Sequence, residues 1–226
     1  KGMDRLSGSE YTSSSVPLSV VRGSPRGAKT IFSGIYSKIA HRKNLDAERD
    51  ICGIMMETFQ GWGVVFYPNE FVQEVEKFAR EVGALLAFDE MQSGFGRTGK
   101  LFGYMNYGVE PDLLCCGKGA SSSLPFAMVL GSKEVMDRPA VGSMSSTHSA
   151  NPMACAAGKA NLESLLKDGL IVNAQNLGKL FHKKLEDLKL RFPEHLAYIQ
   201  GKGLLAALLF MSPDGQPLGK LCDRIS

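Results

Sequence analysis

The chain has 226 residues, of which 44% are hydrophobic and 22% are charged, and its net charge is +3. This length and composition are those of a globular protein that can bury a good core in one large domain or two small ones. The small net charge argues against a nucleic-acid partner. No apolar run approaches the length of a membrane span, and the four histidines have no metal-ligand spacing, so we expect no metal site. The five cysteines include no C-x-x-C pair, which favours reduced thiols and a cytoplasmic location.

The first part of the chain differs from the rest in composition. Residues 1–30 are rich in Ser, Gly, Pro and basic residues and show no periodicity, so we expect an irregular arm. From Ile51 onward, short apolar runs alternate with a helical pattern. The predicted strands are 51–56, 85–88, 113–116 and 126–130, and the predicted helix is 70–82. Uninterrupted apolar strands of this kind indicate an α/β fold whose mostly parallel sheet is covered on both faces.

The second half is predicted to hold two helices and a further strand. Asn151-Pro152 is a helix start, with Asn as the N-cap and Pro at the first helical position, and this helix extends to about Lys167. A second helix over 171–190 has one apolar face. The residues of this face are Ala174, Leu177, Leu180, Phe181, Leu185 and Leu188. A strand over 204–210 then opens a smaller domain.

Two residues with reactive side chains follow predicted strands. Lys118 lies between two glycines directly after the strand 113–116, and Asp89 ends the strand 85–88. Burying a lysine is costly, and a desolvated amine loses its proton more easily and becomes a nucleophile toward carbonyls. Enzymes that use pyridoxal phosphate need this pair: a lysine for the Schiff base and an acid that keeps the pyridine nitrogen protonated. We therefore expect the Lys118 amine to be held out of water, opposite Asp89.

The glycine-rich run 94–100 matches two phosphate-binding patterns, G-x-G-x-x-G and G-x-x-x-x-G-K. The second pattern needs Ser or Thr at the next position, where Leu101 stands. The first needs a helix to open at the loop, but 101–108 is a poor helix sequence. Asp89 and Glu90 would also repel phosphates at this strand end. A glycine-rich active-site loop is the better interpretation, with nucleotide binding as an open alternative.

Four segments together resemble the signature of class III aminotransferases. They are 86–100 (LAFDEMQSGFGRTGK), 107–112 (YGVEPD), 117–119 (GKG) and 146–152 (STHSANP), and the match runs from about residue 51 to residue 210. The resemblance implies a fold-type-I pyridoxal 5'-phosphate enzyme, a three-layer α/β sandwich with a smaller α+β C-terminal domain. It also implies a homodimer with the cofactor site at the subunit interface. Its domains would be 31–167 and 168–226, both partial, after the arm.

The resemblance assigns the two catalytic roles. Lys118 would form the Schiff base and, once displaced, shuttle the proton between the substrate carbon and the cofactor. Asp89 would pair with the pyridine nitrogen and hold it cationic, so that the ring can take up electrons from the substrate. The alternative for Asp89 is a cap of the turn that follows its strand.

Three further residues would contact the cofactor if the resemblance holds. Met91 takes the place of an aliphatic residue that packs on the ring face, or it is simply a core residue. Gln92 would hydrogen-bond near the phenolic oxygen of the ring, or it is a polar loop residue. Thr147 would contact the cofactor phosphate, in this family usually that of the neighbouring subunit, or its hydroxyl caps the loop at Asn151.

The segment 57–63 (ETFQGWG) departs from the family pattern Glu-Pro-x-Gln-Gly-Glu-Gly. Glu57 would support the site from behind the cofactor contacts, or it merely ends the strand. Trp62 replaces a glutamate that, in the ornithine and GABA-type members, pairs with a substrate-binding arginine. A tryptophan cannot form that pair, so we predict that its indole walls a more apolar substrate pocket. A standard ornithine, acetylornithine or GABA transaminase is then not expected.

The sequence predicts an aminotransferase that moves an amino group between an amino donor and a 2-oxo acid or aldehyde. An aminomutase or a decarboxylating relative with the same cofactor chemistry stays open. So does a catalytically incomplete fragment that serves as an interaction module, because three expected parts cannot be assigned to residues. These parts are the glycine-rich phosphate cradle, the aromatic residue that stacks on the ring, and the arginine for the substrate carboxylate.

Overall fold

The computed structural model describes residues 51–61 and 63–225. Short strands and helices alternate along the first part, and two long helices and a hairpin follow. The strands are β1 (Gly53–Glu57), β2 (Phe59–Gln60), β3 (Val65–Phe66), β4 (Leu85–Asp89), β5 (Leu113–Cys116), β6 (Met128–Gly131), β7 (Leu196–Lys202) and β8 (Leu205–Phe210). The α-helices are α1 (Asn69–Glu81), α2 (Lys133–Met136), α3 (Pro152–Lys167), α4 (Leu170–Arg191) and α5 (Gly219–Ile225). The described residues also form two 3₁₀ turns, Gly103–Asn106 and Lys118–Ala120.

The main sheet has the strand order β1-β4-β5-β6. β1, β4 and β5 are parallel, which confirms the predicted mostly parallel α/β sheet. β6 runs antiparallel to β5 and lies at the edge of the sheet, with residues 129–131 exposed, so its prediction as a buried strand was wrong. The connection from β5 to β6, residues 117–127, contains no crossover helix. A connection of this kind suits an antiparallel neighbour, because parallel strands are joined by longer crossovers that usually carry a helix.

The core lies between this sheet and α1. The helix buries Val72, Val75 and Ala79 on one face, and β4 contributes the fully buried Leu86 and Phe88. On the next strand the buried residues are Leu114 and Cys116. Alternate residues of both strands therefore face this core, and the intervening ones, including Asp89 and Cys115, lie on the other face.

The helix α3 begins as predicted. The Asn151 side chain accepts hydrogen bonds from the amides of Met153 (3.0 Å) and Ala154 (3.2 Å), and Pro152 is the first helical residue. This is the arrangement that satisfies the free amides of a first helical turn. The N-cap therefore fixes where the chain leaves the exposed segment before it.

The long helix α4 matches the predicted range, but only part of its predicted apolar face is covered: Ala174 is buried and Leu185 and Leu188 are half-buried. Its buried residues are Ala174 and Gly178, whereas Leu177, Leu180 and Phe181 are 46%, 53% and 38% exposed. A Cβ added at Gly178 would lie 2.6 Å from the Cα of Gly203. The helix thus packs through its small residues, because the backbone beside it comes too close for leucine.

The C-terminal hairpin consists of β7 and β8, paired antiparallel. The sequence predicted the second of these strands but not the first, because glycines at 201 and 203 interrupt the apolar pattern. Gly203 makes the turn between the strands with a φ of +61°, which glycine adopts without strain. Along the described chain, no helix is both long and apolar enough to cross a membrane.

Candidate active site

The carboxyl ends of three strands meet at one edge of the main sheet. Glu57 of β1 is the register partner of Asp89 of β4, and Asp89 is in turn the partner of Cys115 of β5. Lys118 follows three residues after Cys115, in a 3₁₀ turn. In open α/β sheets, ligands bind outside the carboxyl ends of the strands. The predicted acid and the predicted nucleophile therefore end neighbouring strands at the edge where a ligand binds in this type of fold.

Asp89 is half-buried and caps the turn that follows β4. Its Oδ1 accepts a hydrogen bond from the amide of Met91 at 2.9 Å, as the alternative interpretation of this residue expected. Its other oxygen, Oδ2, accepts no hydrogen bond within residues 51–61 and 63–225. A carboxylate has two oxygens, so the cap leaves one of them available for a cationic group.

Lys118 has a left-handed backbone, with a φ of +43°. A residue other than glycine holds this conformation only when its surroundings fix it, and such strain is concentrated at functional sites. Its side chain is exposed, so the expectation that the amine is held out of water was wrong for the described chain. None of the described residues covers this side chain, and its neighbours Gly117 and Gly119 carry no side chains that could do so.

Met91 lies against the segment that carries Lys118. A Cβ added at Gly117 would come within 2.5 Å of the Met91 Sδ, so glycine at this position leaves the space that the thioether fills. Gln92 and Glu57 both approach Gly61: the Gln92 Oε1 and the Glu57 Oε1 each lie 3.3 Å from the point a Cβ would occupy there. The Glu57 Oε2 also accepts the Gly61 amide at 3.3 Å. The structure therefore brings Glu57 and Gln92 together at the turn after β1.

Thr147 lies in a separate segment. Residues 136–153 are all exposed, and the Thr147 hydroxyl makes no hydrogen bond with the described residues. The loop capping considered as its alternative role is absent there, because Asn151 uses its own side chain as the N-cap. Trp62, predicted to wall the substrate pocket, is outside the described residues.

Glu90 is the residue that the sequence interpretation treated only as a source of repulsion. Its side chain is fully buried and accepts four hydrogen bonds. The donors are the Thr58 hydroxyl (2.6 Å), the Ser93 hydroxyl (2.7 Å), the Gly103 amide (2.8 Å) and the Tyr104 amide (2.7 Å). Four donors match the acceptor capacity of an ionised carboxylate. Strand alternation was a usable signal, since Glu90, the residue directly after β4, continues the alternation of the buried Leu86 and Phe88.

The glycine-rich loop opens no helix, as the sequence predicted. Residues 91–102 form turns and bends, and only the short 3₁₀ turn Gly103–Asn106 follows. Gly96 and Gly99 have φ values of +88° and +82°, and the Gly96 amide bonds to the Leu101 carbonyl at 3.2 Å. A loop folded on itself in this way lacks the helix N-terminus that a dinucleotide site requires.

The C-terminal hairpin holds this loop from outside. The Leu204 amide bonds to the Arg97 carbonyl at 2.9 Å, and a Cβ added at Gly203 would lie 2.5 Å from the Thr98 carbonyl carbon. Beside this contact, the Lys202 ammonium lies 5.0 Å from the centroid of the Phe66 ring. Burial lowers the pKa of Lys202, because the charged amine is partly removed from water. The hairpin is thus tied to both the loop and the core.

Burial also raises the pKa of two weakly acidic side chains near the site, Tyr107 and Cys116. Tyr107 donates its hydroxyl proton to the Thr58 carbonyl (2.6 Å) and accepts the Tyr67 amide (3.1 Å), and burial raises its pKa. Burial, together with the negative charges of Glu90 and Asp89, raises the pKa of the Cys116 thiol to about 12. Both groups stay neutral at physiological pH and act as packing and hydrogen-bonding residues.

The donor set at the sheet edge fits the pyridine end of pyridoxal phosphate. A half-buried carboxylate whose Oδ2 accepts no hydrogen bond from the described residues suits a protonated ring nitrogen, and a lysine amine in the turn after the neighbouring strand suits an aldehyde carbon. For the phosphate end the sequence analysis predicts only Thr147, which lies in the exposed segment 136–153. Among residues 51–61 and 63–225, no cluster of His, Cys, Asp or Glu could hold a metal ion.

Comparisons with known proteins identify the family. The model of the family named "Aminotransferase class-III" matches residues 30–224, so the chain belongs to the class III aminotransferases, which are pyridoxal phosphate enzymes. It is 39% identical over 158 residues to an acetylornithine aminotransferase of Caldanaerobacter subterraneus, covering 69% of this chain and 39% of that protein. It is 37% identical over 180 residues to an alanine/serine racemase of Pyrococcus horikoshii, covering 77% of this chain and 38% of that protein.

Solved structures agree in fold. An S-selective transaminase from Arthrobacter sp. superposes with a TM-score of 0.74 at 34% identity, covering 89% of this chain and 42% of that one. The expected fold-type-I architecture is thereby confirmed. The chain spans about two fifths of the length of these relatives.

Proposed function

We propose that this chain carries the cofactor-binding core of an aminotransferase that moves an amino group between an amino donor and a 2-oxo acid or aldehyde. Membership of the class III family supports this activity. The observation that carries the proposal is the neighbouring position of Asp89 and Lys118. Asp89 pairs in register with Cys115, and Lys118 follows Cys115 by three residues at the same sheet edge.

Each residue then has a physical role. When bound, pyridoxal phosphate supplies an electron sink for the bonds at the substrate's amino-bearing carbon. Lys118 would hold the cofactor covalently through its amine and afterwards carry a proton to or from that carbon. The free Oδ2 of Asp89 would keep the ring nitrogen protonated, because an opposite charge at short range favours the cationic form. The left-handed backbone at Lys118 would aim its side chain in a fixed direction.

The other predicted site residues would contact the cofactor or the substrate, or position a residue that does. Met91, held against Gly117, would pack on the ring face, and Gln92 would hydrogen-bond beside the phenolic oxygen. Glu57, which shares the Gly61 turn with Gln92, would orient that amide rather than touch the ring. Thr147 would bind the phosphate. Trp62 would wall an apolar substrate pocket.

A homodimer would bring Thr147 of one subunit to the cofactor of the other. The continuous exposure of residues 136–153 supports this arrangement, since nothing in the described chain covers them. The five cysteines form no disulfide with one another, which supports a reducing compartment such as the cytoplasm. We also propose a division into a large domain, 31–167, and a smaller one, 168–226, because the strands β7 and β8 follow α4 and form a sheet of their own.

Cofactor binding tests the proposal directly. The purified chain is mixed with pyridoxal phosphate, and the visible absorbance band and its loss on borohydride treatment are recorded. Mass spectrometry after reduction should find the added cofactor mass on the peptide that contains Lys118. Lys118→Ala should abolish both signals, whereas Lys100→Ala, an exposed lysine of the glycine-rich loop, should keep them. A chain that stays colourless and unmodified, or a label that follows Lys100, would contradict the assignment.

An assay of amino donors tests the substrate class. If Trp62 walls an apolar pocket, donors with apolar side chains should react faster than ornithine, acetylornithine or GABA. Trp62→Glu should then reduce the rate with apolar donors. A wild-type preference for ornithine or GABA would refute the interpretation of Trp62 without affecting the assignment of Lys118.

A further inference from the structure

The contacts of Glu90 point to a role that neither the strand nor the core requires. A fully buried carboxylate is costly unless every acceptor position is satisfied. A buried apolar residue after Phe88 would continue the core without that cost. Glu90 instead accepts four hydrogen bonds of 2.6–2.8 Å. Its donors belong to the turn after β1, to the start of the glycine-rich loop and to the 3₁₀ turn that ends this loop.

We infer that Glu90 is a positioning residue for the proposed cofactor site. It fixes Asp89 and Met91, its two neighbours in the chain, without touching the cofactor itself. This inference rests on the proposed function, in which Asp89 meets the ring nitrogen and Met91 the ring face. Ser93 and Gly103 enclose the loop at its two ends, so a single carboxylate holds the loop closed.

The backbone of the same residue is held as firmly as its side chain. The Glu90 amide donates to the Cys115 carbonyl at 2.8 Å, and its carbonyl accepts the Gly94 amide at 3.0 Å. Asp89 and Met91 therefore lie on either side of a residue fixed at its amide, its carbonyl and its carboxylate. Because alternate strand residues face opposite sides, Glu90 anchors the core side while Asp89 is presented on the other.

A misplaced catalytic group costs activity steeply, and displacement by about 1 Å can cost a hundredfold. Release of Glu90 would free the peptide that carries Asp89 and would break the Asp89–Met91 hydrogen bond of 2.9 Å more often. The contact between Asp89 and the ring nitrogen would then be weakened.

The test uses Glu90→Gln, which keeps the shape but removes the charge and turns one acceptor into a donor facing other donors. Val75→Ala, a core truncation in α1, is the control for lost stability alone. Cofactor affinity is measured at a temperature where all variants are folded. We expect the dissociation constant of pyridoxal phosphate to rise by at most about tenfold to a hundredfold in Glu90→Gln, the equivalent of the one charged contact that Asp89 would make to the ring nitrogen. Val75→Ala should leave it within about twofold.

A double-mutant cycle with Asp89→Asn tests whether Glu90 affects cofactor affinity through Asp89. If Glu90 acts through Asp89, Glu90→Gln should have little further effect once Asp89 is replaced, so the two changes are not additive. Additive effects would overturn the inference. So would an equal loss of affinity in Val75→Ala, because the effect would then report stability only.

Amide hydrogen exchange gives a readout that needs no cofactor. In Glu90→Gln, exchange at the amides of Met91, Gly103 and Tyr104 should accelerate more than in Val75→Ala, while the α1 amides should keep their wild-type rates. Unchanged exchange at Met91 would overturn the positioning role. If the wild-type chain binds no cofactor, the proposed function fails, and the exchange measurement still decides whether Glu90 holds the Asp89–Met91 turn.

Discussion

The contact between the C-terminal hairpin and the glycine-rich loop allows a sharp prediction for Gly203→Ala. At Gly203 the backbone has a φ of +61°, and a methyl group would lie 2.5 Å from the Thr98 carbonyl carbon and 2.6 Å from the Arg97 carbonyl oxygen. Both atoms belong to the backbone of a folded loop, so neither can turn aside as a flexible side chain could. The substitution should therefore strain the hairpin and the loop together.

The size of the effect follows from two terms. An L-residue in the left-handed region costs about 1–2 kcal/mol, and a methyl group forced into a filled site costs about 1–3 kcal/mol more. Gly203→Ala should thus lower the free energy of unfolding by about 2–5 kcal/mol, a large share of the roughly 5–15 kcal/mol of an ordinary domain.

A matched variant separates the two terms. Gly215 also has a positive φ, +82°, but nothing lies within 4 Å of the position a Cβ would take. Gly215→Ala should therefore show only the backbone term. Urea unfolding with linear extrapolation gives both values. If Gly203→Ala costs no more than Gly215→Ala, the hairpin does not press on the loop as described and the reasoning is refuted.

Two further predictions concern the buried side chains of Tyr107 and Cys116. Tyr107→Phe should lower the free energy of unfolding by about 1–3 kcal/mol, because the Thr58 carbonyl and the Tyr67 amide lose their partner. Tyr198 is partly exposed, so Tyr198→Phe should lower the free energy of unfolding much less. Equal losses in the two variants would contradict the hydrogen-bond account. Cys116 has its pKa raised from 9.0 to about 12, so ionisation favours the unfolded chain. Its contribution to stability should be complete below about pH 9 and fall as the pH rises toward 12, by up to about 1.4 kcal/mol per pH unit. Urea unfolding across this window should show a shallower fall in Cys116→Ala than in a Cys52→Ala control, and identical slopes would refute the assignment.

The regular elements around the main sheet could be predicted because each depends on local sequence. Leu86 and Phe88 alternate with partly exposed residues, and α1 repeats its apolar positions at helical spacing. Asn151-Pro152 carries its own capping chemistry. In all these places the residues that decide the structure are neighbours in the chain, so the pattern is visible without the fold.

The parts that could not be predicted depend on distant contacts. Glu90 receives the Thr58 hydroxyl from 32 residues away, and no local pattern connects the two. The packing face of α4 is set by Gly203, whose backbone approaches Gly178 so closely that only small residues fit. The exposure of Lys118 depends on which segments pass over it. The strands could be predicted from the types of their residues and the spacing between them. Contacts between residues that are distant in the chain are visible only in the three-dimensional structure.

The crowding around Gly203 also limits how this loop can diversify. Thr98 and Gly99 are pressed between the hairpin and Gln175 of α4, where a Cβ added at Gly99 would stop 3.0 Å from the Gln175 Cα. Arg97 and Lys100, by contrast, project from the same loop with exposed side chains. Selection for altered chemistry would find usable variation at positions 97 and 100 and almost none between them. A mutant library for the loop should therefore randomise the two outer positions and leave the inner pair untouched.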